Sequence, residues 1–380
     1  MKDNPLIHLE SLGQSVWMDF ISRELLTSGQ LKRLIEEDGV SGVTSNPSIF
    51  EKAILLSPDY KQAIHSLALA GKRPEEIYQQ MTITDIRMTS DQFRSTFEAA
   101  DGRDGFVSLE VSPLLAHDTA GTVAEARALW AAVDRPNVMI KVPATPEGLP
   151  AIQALIGAGI NVNITLLFGL KRYRQVVEAY FTGLEARLAQ GAPLGRVASV
   201  ASFFLSRIDV LIDPALEQIM KGGSAQAATA SELHGQIAIG SAKAAYGIFN
   251  ELFQSPRFQR LAQHGARPQR LLWASTSTKN AAYSDIKYVE PLIGPQTINT
   301  LPLETLTAYR DHGKPAARLT DGLQLARLTL EKLSQVQIDL DGITAQLERE
   351  GVEKFSQAYD KTLSALREAQ AHIQGEPQKG

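Results

Sequence analysis

The sequence predicts a (β/α)8 TIM barrel, an α/β fold, with a helical insertion after the second strand and extra C-terminal helices. Strand-like runs rich in Val, Ile, Leu and Phe recur near 15–20, 41–46, 105–111, 137–143, 161–168, 197–204, 270–276 and 287–293. Helical patterns separate most of them, and strand alternating with helix is the signature of a closed parallel sheet wrapped by helices. An open doubly wound sheet shows the same alternation, but no Gly-x-Gly-x-x-Gly follows an early strand here.

Taken in order, the first strand run, 15–20, carries Asp19, and the next helix covers Gln30–Asp38. Leu31, Leu34 and Ile35 share one face of it and Gly39 is placed to cap its C-terminus. After the second run, 47–104 reads as a long, mostly helical insertion. Asp118 is a good N-cap for a helix carrying Val123, Ala126, Leu129 and Trp130. Further helices are expected after Gly148, Leu170 and Pro214, with the Gly-, Ala- and Ser-rich stretch 222–231 as a connection in the outer layer. Helices over 320–371 follow the eighth run. No composition shift marks a second domain, so 1–372 is expected to form one domain, with 373–380 a disordered tail.

Composition excludes several classes of function. With Lys+Arg 38 against Asp+Glu 42 in 380 residues, the net charge of -4 gives no nucleic-acid footprint. The absence of cysteine removes disulfides, thiolate metal sites and a cysteine nucleophile, and fits a reducing compartment. The seven histidines show no HExxH-like spacing, so no metal is expected. Residues 1–16 lack the apolar core of a signal peptide and no run is long enough to span a membrane. A cytoplasmic enzyme or binding protein is expected; oligomeric state is left open.

The polar residues within the strands are the more informative feature. In Asn137-Val-Met-Ile-Lys141-Val-Pro143, alternation sends Val138, Ile140 and Val142 one way and Met139 and Lys141 the other. A lysine in a confined interior favours the neutral, nucleophilic amine, because burial penalises the ammonium; that is the requirement of Schiff-base chemistry. The same parity places Asp19 opposite Val16, Met18 and Phe20, pairs Thr44 with Asn46, sets Ser108 and Glu110 against three apolar residues, and puts Asn161, Asn163 and Thr165 on one face. In a barrel these sets converge on the C-terminal end. Singly, each has a structural reading: a capping aspartate, an Asn-Pro turn, a satisfied core threonine, or a Lys141–Glu110 ion pair. Past the sixth run, Ser202, Phe204, Ser206 and Arg207 lead into a helix N-terminus. Past the seventh, Ala274-Ser-Thr-Ser-Thr-Lys-Asn280 adds hydroxyls and Lys279. Two cations and a helix start at one end suit an anionic substrate.

Four ordered stretches carry a family resemblance: Gly42-Val-Thr-Ser-Asn-Pro-Ser48, Ile140-Lys-Val-Pro-Ala144, Gly159-Ile-Asn-Val-Asn-Ile-Thr-Leu166 and Tyr288-Val-Glu-Pro-Leu-Ile-Gly-Pro-Gln-Thr-Ile-Asn-Thr-Leu-Pro302. Over about 15–312 the chain resembles the longer bacterial branch of the transaldolase family. The resemblance implies a class I aldolase-like barrel of the pentose phosphate pathway. Such an enzyme moves a dihydroxyacetone unit reversibly from sedoheptulose 7-phosphate to glyceraldehyde 3-phosphate, giving erythrose 4-phosphate and fructose 6-phosphate, with no cofactor. It implies that Lys141 is the Schiff-base lysine, that Asp19 and Glu110 are acid/base carboxylates, with Glu110 and Thr165 working through a water, and that Asn46 and Asn163 hold substrate hydroxyls. It also implies that Ser202, Phe204, Arg207 and Ser275 form the wall and phosphate site.

The chain departs from the family in one place: many relatives carry a short Ser-x-Arg after the seventh strand, where this one reads Ser275-Thr-Ser-Thr-Lys279. Lys279, or backbone and hydroxyl groups, then stand in for the second phosphate cation. The rival readings are a fructose 6-phosphate aldolase that releases dihydroxyacetone and a non-catalytic sugar-phosphate-binding barrel. Members of the aldolase branch are much shorter and carry tyrosine at the position of Phe204, and the intact set Asp19, Glu110, Lys141 and Thr165 favours catalysis.

Overall fold

Strands covered on both faces have no exposed side to keep polar, so they read as near-continuous apolar runs. The central strands here are buried at every residue. The computed structural model describes residues 4–223 and 225–375. Its sheet closes on itself in the order β1 (Gln14–Met18), β2 (Val40–Val43), β3 (Val107–Glu110), β4 (Val138–Pro143), β5 (Val162–Leu167), β6 (Ser199–Phe204), β7 (Arg270–Ala274) and β8 (Thr297–Leu301). All neighbours pair parallel, including β1 with β8. This is the expected (β/α)8 barrel.

The eighth strand lies elsewhere than 287–293. Residues Glu290–Leu292 form a 3-10 turn, and the strand is Thr297–Leu301. Pro291 falls in the middle of that run, where its missing N–H would break a ladder that a closed barrel needs on both edges; Pro143 is tolerated because it is the last residue of β4. Pro214 does not open a helix either. It lies inside the helix Ser206–Lys221, whose buried Ile208, Ile212 and Leu216 recur every fourth residue and hold it to the barrel. The stretch 222–231 includes the start of a short helix, Ala227–Leu233.

The insertion is helical as expected, chiefly Pro47–Leu56, Lys61–Leu69, Pro74–Gln92 and Arg94–Ala99. After β8 come Leu303–His312, Leu323–Glu331 and the long C-terminal helix Leu340–Gly375. Of the tail expected over 373–380, residues 373–375 belong to that helix and 376–380 lie outside the described residues. Among the described residues no helix is long and apolar enough to cross a membrane.

Two local features position the site. Trp17 is fully buried, and a Cβ on Gly42 would come within 2.6 Å of its ring, so glycine is what lets β2 pass this indole. At the N-terminal end a polar network holds the barrel: Trp17 Nε1 donates to Asp104 Oδ1 at 2.7 Å, and Arg270 donates to Ser15 Oγ at 2.6 Å and to the Thr297 carbonyl at 2.7 Å. The C-terminal end is left for chemistry, as in barrels generally.

Candidate active site

A cavity of about 490 Å³ opens among the loops that follow the strands. From the strands and their ends come Asp19, Lys141, Ser202 and Phe204; from loops and helix starts come Asn46, Arg207, Ser275 and Lys279. Eight residues singled out in the sequence therefore meet in one place. Three more do not border it: Glu110 and Asn163 are joined to the lining residues Lys141 and Ser202, and Thr165 is buried on β5.

Lys141 sits mid-sheet, in register with Glu110 on β3 and Asn163 on β5. Its Nζ donates to the Ser45 carbonyl at 2.9 Å and lies 3.4 Å from Glu110 Oε2. The two side chains are only 4% and 6% exposed. Glu110 Oε2 has ion-pair distance but no hydrogen bond, and Thr165 Oγ1 is likewise buried without a partner. Burial pushes the Glu110 carboxyl above the ordinary glutamate value, against the lowering pull of Lys141.

Asp19 follows the end of β1, and its Oδ1 accepts from Thr44 Oγ1 at 2.7 Å. Burial raises its carboxyl above the usual aspartate range, while Lys141 and the Thr44 hydrogen bond oppose that shift and Glu304 adds to it. Two carboxyls with raised values thus flank one lysine, an arrangement suited to proton transfer. Asn46 caps the helix Pro47–Leu56 by accepting from Ile49 N at 3.0 Å, so its Oδ1 is used structurally, and the residue borders the cavity. Asn163 is bound at both ends, donating to Ser108 Oγ at 2.9 Å and accepting from Ser202 Oγ at 2.6 Å. It fixes the wall from behind.

On the far side, Ser206 and Arg207 open the helix Ser206–Lys221. The Arg207 guanidinium lies 5.6 Å from the Phe204 ring centre, and burial lowers its value from that of a free arginine. Ser275 adopts a left-handed backbone, φ 55°, which costs a non-glycine residue about 1 kcal/mol or more and is found where the surroundings enforce it. Its Oγ is 2.8 Å from Ser206 Oγ and its carbonyl accepts from Ser206 N at 3.0 Å, so the β7 loop is tied to the start of that helix.

Sequence reasoning missed several groups. Thr44 lies on the inward face that alternation assigned to it, but its bond to Asp19 joins the ends of two strands and was not foreseen. The Ser45 carbonyl that holds Lys141 is a backbone group with no sequence signature. Lys52, Glu304, Lys354 and Phe355 also line the cavity, and the last two come from the C-terminal helix, for which no local pattern could have announced the placement. Among the described residues no cluster of three or more His, Cys, Asp or Glu could hold a metal.

Comparison with known proteins bears directly on this geometry. A family model for transaldolase/fructose-6-phosphate aldolase matches residues 16–366. A transaldolase of Saccharopolyspora erythraea is 47% identical over 361 residues, covering 95% of this chain and 96% of its own. One of Thiobacillus denitrificans is 48% identical over 355 residues, 93% and 97% of the two chains. One of Trichodesmium erythraeum is 44% identical over 372 residues, 97% and 98%.

Proposed function

The chain belongs to the transaldolase/fructose-6-phosphate aldolase family and acts as a transaldolase, a transferase; from that premise we propose that Lys141 carries the transferred unit as a Schiff base. The observation that carries the proposal is the placement of its Nζ, buried between the Ser45 carbonyl and Glu110 at the wall of a cavity that Asp19 also lines.

The amine of Lys141 attacks the C2 carbonyl of the donor ketose phosphate, having passed its proton to Glu110. Glu110, with Thr165 and a water, returns a proton to the departing hydroxyl, and water leaves as the protonated imine forms. Asp19 then takes the proton of the C4 hydroxyl, the C3–C4 bond breaks, and its electron pair moves into the imine to leave an enamine on Lys141. The aldose phosphate departs. The acceptor aldehyde is attacked by the enamine, Asp19 returns the proton to the new C4 oxygen, and hydrolysis of the imine frees the product. Asn46 holds the hydroxyls of the three-carbon unit, and Arg207, Ser275 and Lys279 hold the phosphate. Donor and acceptor are sedoheptulose 7-phosphate and glyceraldehyde 3-phosphate, with erythrose 4-phosphate and fructose 6-phosphate as products, in the cytoplasmic pentose phosphate pathway.

The test is release of glyceraldehyde 3-phosphate from fructose 6-phosphate, followed through a coupled dehydrogenase, with and without erythrose 4-phosphate. Sustained release only with the acceptor is expected, together with borohydride-trapped mass gain on the parent and none on Lys141→Ala. Equal release without acceptor would establish an aldolase instead.

A further inference from the structure

We propose that the C-terminal helix Leu340–Gly375 is part of the active site, and that Lys354 on it and Lys52 on the insertion bind the substrate phosphate alongside Arg207 and Lys279. The proposal rests on the sugar-phosphate reading above and names ligands and an element which that reading does not include.

The helix is seated on the mouth of the barrel by close approach. A Cβ on Gly351 would come within 2.8 Å of Leu166 Cδ2, at the end of β5, and 3.6 Å of Arg207 Nη1. A Cβ on Gly169, just past β5, would meet Thr344 Oγ1 at 2.9 Å. Ion pairs fasten the helix on either side of these points. Arg172 Nε lies 3.1 Å from Glu348 Oε2, and Lys361 Nζ lies 2.6 Å from Glu51 Oε1 on the insertion. One turn beyond Gly351, Phe355 is buried at 2% exposure and Lys354 lines the cavity beside it.

Cations outnumber carboxylates around the cavity, four against Asp19 and Glu304. Lys52, Arg207, Lys279 and Lys354 all border the cavity, and among the described residues none of the four has a carboxylate within ion-pair distance. Arg207 chiefly, then burial, Lys279 and Lys52, hold the Lys354 ammonium below the ordinary lysine value, so the four cations act on one another. Like charges gathered from four separate elements at the rim of one cavity are held against their repulsion and are relieved by a dianion. A phosphate ester is the anion that the Schiff-base chemistry beneath would accept. The two helical additions to the minimal barrel also acquire a purpose, since each brings one lysine.

The experiment compares the parent with Lys354→Gln and with Lys354→Arg as the conservative variant. Affinity for inorganic phosphate is measured by calorimetry, and KM and kcat for fructose 6-phosphate and for unphosphorylated fructose are determined. Loss of one charge-assisted contact predicts about tenfold weaker phosphate binding and about tenfold higher KM for fructose 6-phosphate, with kcat and the constants for fructose little changed and partial recovery in Lys354→Arg. Unchanged phosphate affinity in Lys354→Gln, or an equal loss toward phosphorylated and unphosphorylated ketose, overturns the proposal. Phosphate affinity is read without turnover. Weakened phosphate binding in a protein that transfers nothing would therefore uphold the site while the reaction reading fails.

Discussion

Replacing Glu110 by glutamine isolates the chemistry from the packing. The two side chains have nearly the same shape, so the wall of β3 is preserved and only the charge and the proton are lost. Glu110 is 6% exposed and stands 3.4 Å from Lys141 Nζ, with no other hydrogen-bond partner on Oε2. A glutamine there cannot accept the proton of Lys141 or return one to the leaving hydroxyl. Proton transfer by a positioned group contributes about 10²- to 10⁴-fold, equivalent to about 3–5 kcal/mol in the barrier. We expect kcat for transfer from fructose 6-phosphate to erythrose 4-phosphate to fall by about three orders of magnitude. KM should stay within a few-fold, because Glu110 does not border the cavity where the cations lie. Steady-state rates give the first quantity, and borohydride quenching of single turnovers, read as mass gain on Lys141, shows whether imine formation is the step that slowed. A kcat within tenfold of the parent would refute the acid/base assignment of Glu110.

The pH dependence has a definite sign. Asp19 must be ionised to accept the C4 hydroxyl proton, and burial raises its carboxyl, so the acid limb of kcat should lie above the ordinary aspartate value near 4, with rate increasing as pH rises through it. Glu304 adds to that rise, so Glu304→Gln should move the limb to lower pH; a limb that stays or moves upward contradicts this. For stability, the contribution of a carboxyl with a raised folded value is full below its unfolded value and is lost as pH rises through the folded one. Asp19→Asn should therefore raise Tm relative to the parent at pH 8 and leave it unchanged near pH 3, as differential scanning calorimetry would record. Gly42→Ala sets a methyl 2.6 Å from the fully buried Trp17 ring and should cost about 1–3 kcal/mol in urea unfolding, and equal stability would mean that β2 shifts freely. Asp85 is buried, accepts from Arg23 Nη2 at 2.9 Å and from Tyr60 OH at 2.7 Å, and ties two parts of the insertion to the helix Arg23–Thr27. Asp85→Ala should cost about 3–5 kcal/mol, and a loss below 1 kcal/mol would show that the network is dispensable.

Much of the site was legible because it is written in strand alternation. Lys141, Glu110 and Asn163 each lie on the side of an alternating run opposite its apolar residues, the side that a closed parallel sheet turns inward, and the structure puts them side by side on β3, β4 and β5. Where the pattern was ambiguous, sequence reasoning went astray. The run at 287–293 is locally as apolar as a strand, while the true β8 carries Thr297, Asn299 and Thr300 and looks too polar. Only closure of the sheet, which demands a hydrogen-bonded edge on both sides, decides between them. Pro214 is a good helix opener in isolation, yet the burial of Ile208, Ile212 and Leu216 carries the helix through it.

The sequence by itself determined the barrel, the inward lysine and its carboxylates, because these follow from a two-residue period and from neighbours along the chain. Tertiary structure alone decided that the Ser45 carbonyl holds Lys141, that Thr44 holds Asp19, and that Lys354 and Phe355 reach the same cavity from the C-terminal helix. Those contacts join segments distant in sequence. The seating of the C-terminal helix is set by how closely Gly351 lets two surfaces approach, a property of the pair of surfaces that neither segment carries alone.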